Sequence, residues 1–462
     1  MTILSNDKTK IHIKSHLLIL ILTLSSLLSA IATLAQPRVV AYYPGWMKSK
    51  LPANKIKFEY LTHINHAFAW PLANGSITSN SDINHPELIV ETHKAGKKIL
   101  LSLGGWGQSG GFAPMAADST IRKKFVNNLV DYCKTRGYDG ADLDWEFPQN
   151  AAERANLTTL IKETYQAFNA QNPPLLLTMV AVTSNYSGQW HDYAVLARYV
   201  EWFNLMAYDF HGSWTNHAGH NAPLYAPATD YDGSAHQGIQ YLRDQRGIPK
   251  EKIHLGMPFY GKECSAAQLY GPATAWSDLE YSSVVSRLRS GWSYFWDDVA
   301  KAPYLLNASR TRFVTFEDSL SLSFKCAYAK TNGLGGVMIW ALGQDVIGSE
   351  QPLVEAVGRA MFKTTNVAAA KPRGVESFVL FDNFPNPFHA ATTLAFRLER
   401  DSPVKLTVYD LVGKTVAILK RGMIPKGMHT IIWNAAGLPN GVYFYKLEAA
   451  GFQMTKKMIL VR

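Results

Sequence analysis

Asp142, Asp144 and Glu146 alternate with Leu143 and Trp145. Residues two apart on an extended strand share a face, so this spacing stacks three carboxylates in one column. Ala141, Leu143, Trp145 and Phe147 supply an apolar opposite face. Three like charges held beside apolar residues repel one another and lose hydration, so at least one should keep its proton near neutral pH. A protonated carboxyl beside ionised neighbours is what general acid catalysis uses. Two plainer readings of the same spacing are a solvated acidic strand edge and a cation site. Asp139 opens the run but is out of phase with the column, which marks it as structural rather than catalytic.

The column needs a scaffold, and the flanking sequence describes one. From Arg38 onward, short apolar runs alternate with amphipathic stretches, the pattern of repeated β–α units. The expected strands are Val39–Tyr43, His63–Phe68, Ile99–Leu103, Gly140–Glu146, Leu175–Val182, Trp202–Tyr208, His254–Phe259 and Gly336–Trp340. Asp118 and Ser119 can cap a helix carrying Ile121, Phe125, Leu129 and Cys133 at four-residue steps, and a second helix fits residues 152–170. Eight strands with helices between them predict a closed (β/α)8 barrel. A doubly wound open sheet is the alternative, but no Gly-rich phosphate loop follows the first strand.

In a barrel, chemistry gathers at the carboxyl ends of the strands. Tyr42, Tyr43 and Trp46 follow the first strand, Phe68 ends the second, and Trp106 follows the third. Glu146 ends the fourth, Tyr208 and Asp209 the sixth, Tyr260 the seventh and Trp340 the eighth. A single aromatic there is ordinary core. So many together suggest faces for stacking on the apolar C–H faces of sugar rings. Residues 262–313 break the alternation and form a small α+β insertion between strands seven and eight, rich in aromatics such as Trp292, Phe295 and Trp296.

Residues 363–374 lack periodicity and form a linker. After it, residues 375–462 read as short alternating strands separated by turn signals, such as Pro439-Asn440-Gly441. That pattern predicts a C-terminal all-β sandwich. At the other end, Lys8, Lys10 and Lys14 precede an apolar run over Leu17–Leu28 and small residues, so 1–35 has the layout of a secretory signal peptide. No other run is apolar for long enough to span a bilayer. The 462 residues, 47% of them hydrophobic, suffice for one large domain and a small one. The net charge of +10 divides into +2 for residues 1–35, +7 for 371–462 and +1 for 36–370. The near-neutral chemical region removes the main support for a nucleic-acid partner. Cys133, Cys264 and Cys326 are too few and too widely spaced for a disulfide framework or a metal cluster.

Five motifs in order then make residues 38–362 resemble glycoside hydrolase family 18, the chitinases and their relatives. Asp139, Asp142, Asp144 and Glu146 match the family's DxxDxDxE signature. Ser102–Trp106 matches the SxGG motif, Met206–Trp214 the strand-six motif, and Gly256–Gly261 and Gly335–Trp340 the motifs of strands seven and eight. Lys262 is a departure, since many relatives carry Arg there, and a bidentate contact is not expected of it.

The resemblance implies a retaining chitinase of residues 36–362 that uses the substrate's own acetamido group in place of a second enzymic carboxylate. It implies that Glu146 is the general acid and that Asp144 orients the acetamido N–H. Asp142 would share a proton or hydrogen bond with Asp144. Tyr208 would bond the acetamido oxygen, and Trp340 would floor the distorted sugar. The substrate-binding set it implies is Tyr42, Trp46, Phe68, Gly105, Trp106, Met206, Asp209, Trp214, Tyr260 and Trp340. Other enzyme readings on this barrel are an endo-β-N-acetylglucosaminidase or a peptidoglycan hydrolase. A non-catalytic chitin-binding lectin is opposed by the presence of Glu146.

The C-terminal region resembles the type A sorting domain of type IX secretion systems, through Phe384–Phe388, Val408–Gly413, Gly441–Leu447 and Lys456–Val461. The rival reading there is a chitin-binding or fibronectin-like accessory module. Together these features lead us to expect a secreted or cell-surface monomer whose partners are chitin oligosaccharides and the secretion machinery. No cofactor and no metal are expected.

Overall fold

A computed structural model of the chain describes residues 37–362 and 378–461, apart from residues 385, 412, 450 and 451. The expected leader, 1–35, and linker, 363–374, lie outside the described residues.

Eight parallel strands form the barrel: Arg38–Pro44, His63–Pro71, Lys98–Gly104, Gly140–Asp144, Leu176–Ala181, Phe203–Leu205, Ile253–Pro258 and Gly336–Trp340. Each pairs with the next, and the first pairs with both the second and the eighth, which closes the ring. Outward-facing residues of these strands, among them Val39, Ile99, Leu101, Leu143 and Phe203, pack against the surrounding helices in one continuous core. A second, smaller cluster fills the upper interior of the barrel and includes Tyr42, Ala67, Val180 and Met338.

The helices begin where the sequence supplies caps. Asp118 accepts from the backbone N–H groups of Thr120 and Ile121 at 2.8 and 2.9 Å, starting helix Ser119–Arg136. Phe125, Leu129 and Cys133 on its inner face are fully buried. The helix stops at Gly137, which takes the left-handed conformation at φ +85° that glycine adopts without a Cβ penalty. Asn150 caps helix Ala151–Asn169 in the same way.

The insertion is a five-stranded antiparallel sheet, formed by Tyr260–Ser265, Thr274–Glu280, Ser293–Asp297, Ala302–Leu306 and Phe313–Thr315, with helix Tyr281–Arg289. The C-terminal region consists of a three-stranded sheet, Phe378–Leu380, Ala391–Leu398 and Gly427–Asn434, and a four-stranded one. The second sheet contains Ser402–Tyr409, Thr415–Ile424, Gly441–Ala449 and Phe452–Leu460. Their inner faces share one core around Leu394, Phe396, Leu406, Val408, Tyr445 and Leu447, as a sandwich requires. The strand Phe378–Leu380 was not anticipated, because three residues are too short for a period to register.

Two barrel strands are shorter than their spacing suggests. The fourth ends at Asp144 rather than Glu146, because Trp145 turns into the core and stacks on Phe112 at 5.3 Å between ring centroids. The sixth spans only Phe203–Leu205, which leaves Tyr208 and Asp209 in the loop beyond it. Tyr42 and Tyr43 lie within the first strand, as its expected bounds of Val39–Tyr43 place them.

Candidate active site

Asp142 sits in register with Ser102 on the third strand and Thr178 on the fifth. Its carboxylate accepts from Tyr42 Oη at 2.6 Å, Thr178 Oγ1 at 2.6 Å, Ser102 Oγ at 3.0 Å and Asn204 Nδ2 at 3.0 Å. Burial lifts this carboxyl above the usual range, and the four donors pull against that lift. Every lone-pair direction of Asp142 is therefore engaged by other strands. The expected hydrogen bond between Asp142 and Asp144 is not formed.

Asp144 pairs upward instead. Its carboxyl faces that of Glu146 within hydrogen-bonding reach, while Asp144 Oδ1 is buried without a partner. Burial raises the Asp144 pKa well above its ordinary value, reinforced by the charges of Glu146 and Asp142. Burial also raises Glu146, from 4.5 to about 7. Two carboxyls that repel in a dry site cannot both ionise cheaply, so they hold a proton between them near neutrality. The Ser109 hydroxyl steadies this turn of chain, lying 3.1 Å from the Asp144 carbonyl and accepting from Glu146 N–H at 2.9 Å. Asp139 is remote from the pair. It accepts from Ile99 N–H and from the Lys98 ammonium at the opposite end of the strand, the structural place its phase indicated.

The two acids open into a cleft of about 1040 Å³, lined by Trp46, Phe68, Trp70, Trp106, Met206, Tyr208, Asp209 and Trp340, with Asn80, Asp82 and Gln108 at its edge. Phe68 stacks on Trp340 at 5.7 Å, and Trp46 tilts against Phe68 at 6.5 Å, so one wall is continuous aromatic surface. Trp106 stands 82% exposed, which no packing role explains. Gly105, at φ +83°, is required behind this wall: a Cβ there would lie 2.7 Å from the Phe68 ring. Its role is to let the aromatic seat, and it does not line the cleft.

Not every expected binding residue faces this space. Tyr42 is buried beneath it, holding Asp142 and meeting Trp340 edge-on at 5.5 Å. Tyr43 turns into the outer core and donates to the Leu51 carbonyl. Tyr260 opens the insertion sheet, and its hydroxyl donates to Asp209 Oδ1 at 2.5 Å. Asp209 also receives Lys262 Nζ at 2.9 Å. Lys262 reaches Asp278 as well, at 2.8 Å, and lies over the rings of Trp214 and Tyr260. The ammonium thus divides itself among point contacts, as expected when Lys stands in for Arg. Trp214, 61% exposed, belongs to this cationic corner and not to the set lining the cleft. Burial, followed by the nearby acid charges, keeps the Tyr208 phenol protonated well past its ordinary range, so it stands as a donor.

Sequence reasoning did not single out Thr178, Asn204, Ser109, Trp70, Asn80, Asp82 and Gln108. A signal existed for three of them. Thr178 and Asn204 are polar residues inside otherwise apolar strands, where an unpaired polar group is costly. Trp70 continues the two-residue alternation from Phe68. One group with metal-ligand character occurs among the described residues: His211, His217, Asp230 and Asp232, in the loop after the sixth strand.

Residues 38–345 match the family described as glycosyl hydrolases family 18, and residues 382–461 match the secretion system C-terminal sorting domain. Chitinase A1 of Niallia circulans is 30% identical over 399 residues, covering 67% of this chain and 56% of the relative. The chain therefore spans little more than half of that protein. Chitotriosidase-1 of Mus musculus is 30% identical over 382 residues, covering 74% of this chain and 81% of the relative. The crystal structure of Ostrinia furnacalis group II chitinase catalytic domain 2 superposes with a TM-score of 0.66 at 27% identity, covering 71% of this chain and 96% of that one. With its barrel, its carboxylate column and a family match over most of the described catalytic region, the chain belongs to glycosyl hydrolases family 18.

Proposed function

We propose that this protein hydrolyses β-1,4-linked N-acetylglucosamine polymers with retention of configuration, and that Glu146 is the general acid. The observation that carries this reading is the Asp144–Glu146 pair. It sits at the mouth of the column, raised in pKa by burial, beneath an aromatic cleft. A carboxyl that titrates at about 7 can protonate a glycosidic oxygen at neutral pH. As that proton leaves Glu146, Asp144 is free to bond an acetamido N–H and to offset positive charge developing beside it. The acetamido oxygen attacks the anomeric carbon as the bond from that carbon to the protonated glycosidic oxygen breaks; the leaving sugar departs as its alcohol, and an oxazolinium-type intermediate remains. Water, activated by the now ionised Glu146, opens that intermediate. Asp142 is a positioning residue, since its four donors anchor the base of the column. Tyr208 donates to the acetamido oxygen, and Trp340 with Phe68 supports the sugar face.

The aromatic wall favours chitin, because repeated unsubstituted pyranose faces can stack along it. The chitinase names of the relatives support the same substrate class. The C-terminal sorting domain supports export to the cell exterior or surface through a secretion machinery, where such polymers are met. The test is product analysis on chitin oligomers, a glycoprotein and peptidoglycan in parallel, with fully deacetylated oligomers as a control. Cleavage of chitin oligomers with β-anomeric products is expected. Efficient cleavage of the deacetylated oligomers would exclude substrate assistance.

A further inference from the structure

The loop between the sixth barrel strand and helix Ala235–Gln240 carries four side chains that converge on one point. The ligand atoms of His211, His217, Asp230 and Asp232 all lie within 4.8 Å of one another. His211 Nε2 is 3.2 Å from His217 Nε2, 3.2 Å from Asp232 Oδ2 and 3.5 Å from Asp230 Oδ1, and His217 Nε2 is 2.9 Å from Asp232 Oδ2.

The outer contacts fix which atoms face inward. His211 Nδ1 meets the His220 carbonyl at 2.9 Å, and His217 Nδ1 meets Asn216 Oδ1 at 3.2 Å. An oxygen acceptor at Nδ1 holds the ring proton there, so in the neutral rings both Nε2 lone pairs point at each other and at two carboxylates. Four electron-rich atoms facing one another, three of the four residues at most half-exposed and two of them buried, repel unless a proton or a metal ion lies among them. Asp230 adds an independent observation: its side chain is fully buried, its Oδ1 accepts from Asp232 N–H at 3.1 Å, and its Oδ2 has no hydrogen-bond partner.

We propose that His211, His217, Asp230 and Asp232 bind one divalent transition-metal ion of the zinc class. Ligand–metal bonds of about 2.0–2.1 Å in a tetrahedron set ligand atoms about 3.3 Å apart; the four contacts above, at 2.9–3.5 Å, are on that scale, and the other pairs lie within 4.8 Å. Two imidazoles with two carboxylates suit zinc over calcium or magnesium, which take oxygen donors. The Nδ1–H contacts to oxygen are the outer partners that ligating histidines characteristically have. Gly219 is built around the site, since a Cβ there would lie 2.1 Å from His211 Nε2.

The ion is structural. It ties residue 211 to residue 232 across the whole loop, and that loop carries Asp209 into the wall of the cleft and Trp214 to the cationic corner around Lys262. The same loop is laced to the insertion through Ala218 N–H to the Gly271 carbonyl at 2.8 Å and Ala273 N–H to the Asn216 carbonyl at 3.0 Å. The proposal stands on this geometry alone and is independent of the substrate assigned above.

Full-length protein freed of metal with a chelator and titrated with zinc chloride tests it. The expected result is close to one zinc per chain by elemental analysis after desalting, a rise of several degrees in the thermal midpoint on adding zinc, and no such rise with calcium. Cobalt in place of zinc should give the visible absorption of a tetrahedral site. Asp230→Asn and the more exposed His217→Gln should each lose the retained zinc and the midpoint shift; the second variant covers the case in which the first does not fold. No zinc retained by the folded wild-type protein would overturn the proposal. So would retention unchanged in folded His217→Gln, or a response to calcium alone.

Discussion

Replacing Glu146 by Gln removes a charge and keeps the shape, so it separates chemistry from architecture. The Glu146 carboxyl is lifted by burial from 4.5 to about 7. A shift of that size corresponds to about 3 kcal/mol of preference for the protonated form in the folded chain. The sign follows from the direction of the shift. Below the unfolded value of 4.5 both states hold the proton, and the group does not oppose folding. As pH rises toward 7 the unfolded chain ionises first, and stability falls. Above 7 the folded protein carries the full cost. The neutral amide has no such titration. Glu146→Gln should therefore match the wild type in stability near pH 4 and exceed it by about 3 kcal/mol near pH 8. The accompanying rise in thermal midpoint is a few degrees at most for a chain of this size. Activity should move the opposite way, with kcat falling about 10³-fold, the scale of a lost general acid, while oligosaccharide binding stays measurable. In the wild type kcat/KM should decline as pH rises through about 7, where Glu146 loses its proton. Thermal scans at the two pH values, with turnover of a chromogenic N-acetylglucosamine oligomer, provide the assay. An equal stability difference at both pH values would refute the burial argument, and unchanged turnover would refute the acid assignment.

Trp106→Ala should leave the thermal midpoint unchanged, because the ring is 82% exposed. It should raise KM for long oligomers about fivefold, equivalent to about 1 kcal/mol of lost stacking; an unaltered KM across oligomer lengths would remove Trp106 from the binding surface. Lys325 is fully buried, pairs with the buried Glu317 and donates to the Ala222 carbonyl at 2.5 Å. Lys325→Ala strands that carboxylate and should cost about 3–5 kcal/mol in denaturant unfolding, whereas a loss below 1 kcal/mol would show the pair to be dispensable.

The column of acids was legible because a two-residue period survives in one strand whatever surrounds it, and Glu146 keeps that spacing just past the strand's end. The barrel was legible for a related reason, since each β–α unit repeats the same apolar signal. What the local pattern could not contain was the supply of donors. Those that reach Asp142 come from Thr178, Ser102, Asn204 and Tyr42, which lie 36, 40, 62 and 100 positions away in the chain and meet only when the strands fall into register. That supply decides where the proton goes. With Asp142 saturated, it has no vacancy to share with Asp144, and Asp144 is left with a buried, unpartnered oxygen and Glu146 above it. The proton is thereby held at the open end of the column, next to the cleft. Had some of the four donors reached Asp144 and Glu146 instead, they would have pulled against the lift of burial there, as they do at Asp142. The uneven distribution leaves the two carboxyls lifted by burial, Asp144 and Glu146, beside the cleft.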